Sequence, residues 1–342
     1  MFNPVYVRNP QSGLLEAKEF ADANLSALRI QDEVATNLVQ GYTNMEVIGD
    51  RLLTPVKMNK EVFRIPAWGE EVFVVSGAAD MKRAVGARVA RMNTSNGYVA
   101  GELYEYALGA TVENRERNEW GGNPNDLVNG RILQVNERIK LYREYLQAVA
   151  VTTTTNYASG YYTSGAAFAW ATTGDAVLKM MDLIDDVTKS IGRRPNVVWF
   201  SPAAWRLWIR NAAVLATLQA GGTPMTPATV TKEATAKILE VQECLVGYSI
   251  YGYGVSAGKF KGTAMTKAYL WDSVQSSNAG VLYRGNGTGT EPAFGYTYER
   301  NNSPYVESYY ENQTKSQVWD VEHFFNPAIT KNTAGALYYS IA

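Results

Sequence analysis

The chain of 342 residues is long enough for one large domain or two ordinary ones. Hydrophobic residues make up 46% and charged residues 19%, which is typical of a globular protein and excludes a disordered one. A formal net charge of -1 excludes the overall basic field that drives nucleic-acid binding. No apolar run reaches the ~18 residues that span a bilayer, and the first residues lack a signal-peptide pattern, so we expect a protein made and folded in the cytosol.

Two residue counts restrict the chemistry. Cys244 is the only cysteine and His323 the only histidine. Intrachain disulfides, cysteine zinc sites and His-His metal clusters are therefore impossible. We expect no cofactor and no metal, because any metal site would need carboxylates alone. The 22 tyrosines and 8 tryptophans favour cores and interfaces alike.

The first 98 residues predict an arm and a projecting loop. Within residues 1–50, the run ADANLSALRIQDEVATNLVQGY has loose helical spacing, typical of an arm or a peripheral helix. KEVFRIPAW and EEVFVVSG then show strand spacing, and a return limb carries Arg83, Arg88 and Arg91. Such a β excursion has few large apolar residues on its return limb and needs something to lie against.

A glutamate-rich strand is predicted next, in GELYEYALGATVENRERNEWGGNP. Period-two alternation favours a half-buried strand, with a helix as the alternative. One face of the strand carries Tyr104, Tyr106, Leu108, Ala110 and Val112.

A long amphipathic helix is predicted after Asn123, which suits the cap, and Pro124, which suits the first helical position. We expect roughly six turns. The apolar face steps by four and three through Val128, Ile132, Val135, Ile139, Tyr142, Leu146 and Val149. Much of the opposite, polar side is filled by Asn129, Asn136, Glu137, Arg143, Glu144 and Gln147.

Residues 175–280 alternate helix and strand, as an α+β or α/β unit does. Asp175 and Gly192 bound one helix, the strand NVVWF follows, and Ser201 caps the next helix. Cys244 falls in a helical stretch as a small buried residue. From residue 281 the chain is β-like, aromatic and rich in turns.

One catalytic alternative comes from GVSAG, which matches the G-x-S-x-G elbow of serine hydrolases. Ser256, then Asp272 or Asp320, then His323 give a formally correct chain order. The elbow needs a helix directly after the serine, but GKFKGTAMTK has two glycines and no apolar stripe. The motif is therefore interpreted as a loop, and His323 as a packed residue.

The glutamates give no catalytic pair. In a strand, Glu105 and Glu113 are on the order of 25 Å apart. Glu113, Glu116 and Glu119 could align on a helical turn, but arginines interleave them and no histidine assists. A solvated charged turn is one interpretation. The hypothesis that fits better is that these four glutamates meet Arg83, Arg88 and Arg91 of another copy of the chain.

Four segments together resemble the major capsid proteins of tailed bacteriophages. They are GYVAGELYEYALGATVENRERNEWG, the helix VNGRILQVNERIKLYREYLQAV, the strand and helix of RRPNVVWFSPAAWRLWIRN, and FGYTYERNNSPYVESYY. Their order and spacing over about residues 50–342 carry the resemblance. It implies an α+β, Hong Kong 97-like fold. The implied parts are an arm at 1–50, an extended loop at 51–98, a peripheral domain with the spine helix at 99–174, an axial domain at 175–280 and peripheral strands at 281–342.

The resemblance also implies a structural, non-catalytic function. Hexamers and pentamers would close into an icosahedral virion head around double-stranded DNA, assembled in the host cytoplasm. The implied partners are other copies of the chain, portal, scaffolding and decoration proteins, and packaged DNA contacted without sequence specificity, with no membrane. Two alternatives stay open: an encapsulin-type compartment shell and the serine hydrolase of GVSAG.

Overall fold

The computed structural model describes residues 5–8, 15–18, 30–41, 47–66, 85–86, 88, 98–168, 170–171, 174–219, 230–253, 266–289 and 291–341. Within them the α-helices are α1 Glu33–Gly41, α2 Gly49–Leu52, α3 Asn114–Glu119, α4 Pro124–Thr152, α5 Ala176–Ile191, α6 Pro202–Trp208, α7 Ala212–Gln219 and α8 Lys232–Ile238. Short 3-10 turns lie at Thr154–Asn156, Gly165–Ala167 and Leu270–Asp272.

The strands begin with β1 Val5–Arg8, β2 Leu15–Lys18, β3 Ile30–Gln31, β4 Pro55–Met58, β5 Val62–Pro66, β6 Tyr98–Glu102, β7 Tyr104–Glu113 and β8 Tyr162–Ser164. They continue with β9 Val197–Phe200, β10 Glu243–Val246, β11 Ile250–Tyr253, β12 Thr266–Tyr269, β13 Ala279–Leu282, β14 Gly295–Arg300, β15 Tyr305–Glu311, β16 Ser316–Ile329 and β17 Gly335–Tyr339. Strands and helices mix along the chain, as predicted for an α+β fold.

The chain forms two compact units. The first comprises Met1–Thr43, Tyr106–Ile139 and Asn302–His323, and the second comprises Asn44–Glu105, Lys140–Asn301 and Phe324–Ala342. The predicted division into arm, loop, peripheral and axial domains stays a prediction.

In the first unit, β15 pairs antiparallel with the first part of β16, from Tyr305 opposite Glu322 to Glu311 opposite Ser316. β3 adds to the other edge of β15, and β7 also pairs with β16. The strand prediction for β7 is confirmed. Its predicted inner face is correct from Tyr106 onward, where Tyr106 and Leu108 are half-buried and Ala110 and Val112 buried, but Tyr104 at the start of the strand is exposed.

In the second unit, a five-stranded sheet has the order β10-β9-β13-β17-β8. α5 packs on β13 and β17. Asp175 caps this helix by accepting a hydrogen bond from the backbone N–H of Leu178, and Gly192 ends it in the left-handed conformation at φ 63°. Ser201 caps α6 in the same way, accepting from Ala204. These caps were read correctly from the sequence because they depend on local residues alone.

The core of the second unit is aromatic. Trp170, Trp199, Trp208 and Trp271 are fully buried. Trp199 contacts Trp271 with ring centroids 5.4 Å apart, and Trp170 contacts Trp208 at 5.8 Å. Part of the aromatic content therefore serves the core.

The long helix is confirmed as α4, but the prediction for its buried side is wrong from Asn136 onward, because Asn136, assigned to the polar side, is buried and donates to Val39 O. Tyr142 is 46% exposed, whereas Arg143, Glu144 and Gln147 are buried. The prediction of an apolar stripe from spacing rests on the assumption that charged side chains face water. Here the charged side faces protein, because partners from distant segments satisfy it.

Arg143 is the centre of a buried ion network in the second unit. Its Nε and Nη2 lie 3.0 and 2.7 Å from Asp50 Oδ1, and its Nη1 lies 2.7 Å from Glu299 Oε2. Lys57 also pairs with Glu299, at 2.8 Å. Gln147 donates to Asp50 at 2.6 Å and to Thr297 at 2.8 Å. A buried charge is tolerated here because each group has a partner.

Glu144 accepts hydrogen bonds from the start of α2 and from an indole. Its two carboxylate oxygens lie 3.0 Å from the backbone nitrogen of Ile48 and 2.7 Å from that of Gly49, and Trp271 Nε1 donates to it at 2.8 Å. A Cβ atom at position 49 would collide with the ends of the Gln147 and Glu144 side chains, so a larger residue there would displace these hydrogen-bonding groups. Burial raises the pKa of the Glu144 carboxyl, and these hydrogen bonds oppose the rise.

Cys244 is buried, as expected, but its predicted helical setting is wrong. It lies in β10, directly opposite Val198 of β9 in a parallel pair. The helix α8 ends at Ile238, so the helical spacing of KEATAKILEVQE stops before its last residues. Burial raises the pKa of the Cys244 thiol to about 12.

Substituting Arg143→Ala is expected to lower the free energy of unfolding by about 3 kcal/mol, because Glu299 stays buried with one partner fewer. Urea unfolding of the unassembled chain measures the change. Arg210→Ala, at an exposed position of the same unit, is the control and should cost less than about 0.5 kcal/mol. Equal losses for the two variants would show that the network does not stabilise the fold.

The Cys244 thiol is expected to be unreactive toward a thiol reagent at pH 8 in the folded chain, because it is buried and protonated. In urea its pKa returns to about 8.5 and one thiol per chain should react. Absorbance during labelling measures this directly, since the chain holds a single cysteine. Rapid labelling without urea would contradict the buried position in β10.

Candidate subunit interface

A glutamate cluster, defined as Glu113, Glu116 and Glu119, lies where β7 passes into α3. Glu113 is the last residue of the strand, and α3 starts at the next residue. No residue of α3 is buried. A helix of six residues with no buried side chain gains little from its own subunit, so this segment presents nearly all of its surface outward.

Two of the three glutamates are paired inside the subunit. Arg131 of α4 pairs with Glu116, and Arg115 Nε lies 2.7 Å from Glu119 Oε1 one helical turn away. Both pairs are solvent-exposed, so each contributes at most about 1 kcal/mol. Asn114 holds α3 in place by donating to the Tyr310 hydroxyl at 2.9 Å, and its backbone N–H donates to Lys315 O at 3.1 Å.

The cluster borders an open cavity of about 420 Å³. Its lining is Glu113, Arg115, Glu116, Glu119 and Trp120. Arg115 pairs with Glu119 and Arg131 pairs with Glu116, so the three carboxylates exceed these guanidiniums by one and the lining keeps an acidic character. The Trp120 side chain is 48% exposed beside them. An acidic lining with an open indole suits a guanidinium, which is attracted both by carboxylates and by the face of an aromatic ring.

The carboxylates do not form a metal site. Across the described ranges, no three residues among histidine, cysteine, aspartate and glutamate are placed to hold an ion. The structure gives no geometric support to the interpretation of these glutamates as a catalytic pair.

The other predicted contact residues are separated along the chain. Glu105 is exposed on β7, and Arg88 is exposed between undescribed neighbours. Arg83 and Arg91 lie outside the described residues. The meeting of arginines and glutamates from two copies therefore stays a prediction.

The hydrolase residues are not assembled into a site within the described chain. Ser256 lies outside the described residues. Asp272 accepts a hydrogen bond from the backbone N–H of Ser277 at 2.9 Å, as a turn residue does. His323 is buried in β16, as expected, and Asp320, three residues earlier on the strand, points to the opposite face.

Where the chain is described, no helix is long and apolar enough to cross a bilayer.

Comparisons with known proteins agree on one class. The major capsid protein of Burkholderia phage BcepMu is 29% identical over 325 residues, which cover 93% of this chain and 98% of that one. A phage-related protein from Bordetella bronchiseptica RB50 has a similar crystal structure, with a TM-score of 0.72, 20% identity, and coverage of 92% and 98% of the two chains. The capsid structure of cyanophage P-SCSP1u gives 0.56 at 11% identity, covering 86% and 88%. No protein-family model matches the chain.

The fold is the α+β, Hong Kong 97-like fold of phage capsid proteins. Over nearly its whole length the chain is similar to a phage major capsid protein, and this similarity supports a structural capsid role. The encapsulin-type alternative is not favoured, because the curated sequence relative is a phage protein. The resemblance stated from four sequence segments is thus confirmed.

Proposed function

We propose that the chain assembles as hexamers and pentamers into an icosahedral virion head that encloses double-stranded DNA. The observation that carries the proposal is the outward-facing glutamate cluster beside Trp120, a surface that the subunit itself leaves uncovered. The similarity to a phage major capsid protein, which extends over nearly the full length of both chains, supports the same conclusion. Assembly takes place in the host cytoplasm.

The proposed contact joins the basic limb of one copy to the glutamate cluster of another. Arg83, Arg88 and Arg91 supply three cations, and the cavity beside Trp120 supplies an acidic lining. Glu105 and Glu113 receive no ion pair from the described residues of their own chain, so they are available to a neighbour. A guanidinium that replaces water beside Trp120 gains a cation–π contact as well as a charge pair.

Weak contacts suffice for this mechanism. Each exposed charge pair contributes at most about 1 kcal/mol, less at high salt. A closed symmetric shell repeats every contact around each subunit, so small contributions add up to a stable particle. A shell held in this way forms at low salt and weakens as ionic strength rises.

The proposed assembly assigns a role to each part of the chain. Residues 1–50 act as an arm and 51–98 as a loop reaching a neighbour. Residues 99–174 and 281–342 make the peripheral domain, and 175–280 the axial domain. Portal, scaffolding and decoration proteins are proposed partners, and the near-zero net charge predicts only non-specific contact with DNA.

Electron microscopy and sedimentation of the purified chain test the proposal. Closed shells, hexamers or pentamers are expected. A monomer that persists across salt and protein concentration would overturn it. Shells that package a protein cargo and no DNA would instead identify a compartment shell.

Reversing Arg83, Arg88 and Arg91 together to Glu is expected to abolish shells while leaving far-UV circular dichroism unchanged, because like charges would then meet at the contact. The control reverses Arg206, Arg210 and Lys237 to Glu, three exposed cations of α6, the turn after it and α8, with the same change in net charge. Shells should persist in the control. Reversal of Glu113 and Glu119 to Arg in the arginine variant should restore part of the assembly.

We further propose that the chain has no hydrolase activity. Ester hydrolysis by the purified chain should be the same for the unmodified protein and for Ser256→Ala, because the sequence after GVSAG has no apolar stripe of the kind that the helix of a nucleophile elbow carries. Loss of a measurable rate in Ser256→Ala would contradict this. Assembly of the variant is the control for its folding.

A further inference from the structure

The hairpin of β11 and β12 stands apart from the larger sheets. These two strands pair only with each other among the described strands. Tyr269 lies directly opposite Ile250, and Lys267 directly opposite Gly252. A two-stranded ribbon is marginal by itself, so it needs a surface to pack against.

The inner face of the hairpin is already covered. Tyr251 contacts Tyr145 of α4 with ring centroids 6.4 Å apart, and Tyr145 stacks on Tyr142 at 6.1 Å. The Ile250 side chain points to the face opposite Tyr251, because side chains alternate along a strand, and Gly252 lies on that same face.

The outer face is apolar at one end and cationic at the other. Ile250 is 51% exposed and Tyr269 is 37% exposed, and they form a directly opposed pair. The next pair along the face contains the exposed Lys267. We define the outer ribbon face as Ile250, Tyr269 and Lys267.

A complementary surface lies on α5. Leu178 is 54% exposed on a helix whose other side is buried in the core. Asp182 and Asp185 are exposed at the positions four and seven residues further, which share a helix face with Leu178. We define the helix stripe as Leu178, Asp182 and Asp185.

The two surfaces carry opposite charges at a similar distance from their apolar residues. On the ribbon, the apolar pair and Lys267 are two residues apart, about 6.7 Å along the strand. On the helix, Leu178 and Asp182 are four residues apart, about 6 Å along the axis. Placing Ile250 and Tyr269 on Leu178 therefore brings Lys267 to Asp182. Among the described residues, the ion-pair partner of Asp182 is Lys179 at 3.6 Å, a long distance between two largely exposed side chains.

We propose that the outer ribbon face of one copy docks on the helix stripe of the next copy around a capsomer. This inference rests on the proposed assembly into hexamers and pentamers and names a contact within each ring. Two different surfaces form the contact, and a contact of this kind repeated by rotation closes a ring. Within one chain Leu178 and Ile250 both stay more than half exposed, so neither surface covers the other.

The first test is charge reversal. Lys267→Glu alone, and Asp182→Lys alone, should each raise the protein concentration needed for assembly about tenfold, roughly the effect of one lost charge contact repeated in a ring. The double variant exchanges the two charges and should return near the unmodified value. Lys237→Glu and Glu240→Lys, exposed residues of the same unit, are the matched controls and should have little effect. Assembly of both single variants at the unmodified concentration would overturn the contact.

The second test is disulfide trapping, which does not depend on closed shells. Leu178→Cys and Ile250→Cys in one chain, oxidised with copper phenanthroline, should give a ladder of linked copies on a non-reducing gel. Either cysteine alone should give no ladder. A ladder without shells supports the contact and contradicts the proposed shell. Shells without a ladder overturn the contact and leave the shell standing, and the absence of both overturns both.

Discussion

The carboxylate of Glu144 is the group on which the second unit depends. It stands on the long helix α4, yet its donors come from the start of α2 and from Trp271, about 95 and 127 residues away in sequence. A single side chain of α4 therefore connects this helix to the start of α2 and to the segment that contains Trp271. The neighbouring residue, Arg143, connects α4 in the same way to Asp50 and Glu299, with which it forms ion pairs. Removal of Glu144 leaves the buried Trp271 indole N–H without its acceptor, and removal of Arg143 leaves the buried Glu299 with one cationic partner fewer beside Lys57, which is why such networks are sensitive to single changes.

The sequence predicts well what is determined locally. Asp175 and Ser201 were identified as caps because a cap depends on residues within one turn. The half-buried face of β7 followed from alternation over ten residues. Arg143 and Glu144 were placed on the solvent side because spacing carries no information about partners from distant segments. Cys244 shows the same limit: its burial follows from its chemistry, but its place in β10 depends on pairing with β9.

The candidate interface could be predicted in kind but not in detail. Charge density in residues 101–124 pointed to a partner-facing surface, and the near absence of burial in α3 agrees with that view. The pairs of Arg131 with Glu116 and of Arg115 with Glu119 could not be foreseen, because they depend on how α3 and α4 pack. A net charge of -1 also conceals that acidic and basic residues are segregated along the chain. Segregation of this kind favours contact between copies over binding to a uniform charged partner.

The burial of Cys244 has a practical consequence for any particle built from this chain. Its single native thiol is buried in β10, at the edge of the five-stranded sheet, so it offers no accessible thiol in the folded subunit. One cysteine introduced on an exposed turn would then be repeated once per copy at symmetry-related positions. Dyes, spin labels or peptides attached there would form an array whose spacing is set by the shell itself. In the proposed shell, thiol chemistry would therefore be confined to the introduced cysteine, because the native thiol is buried.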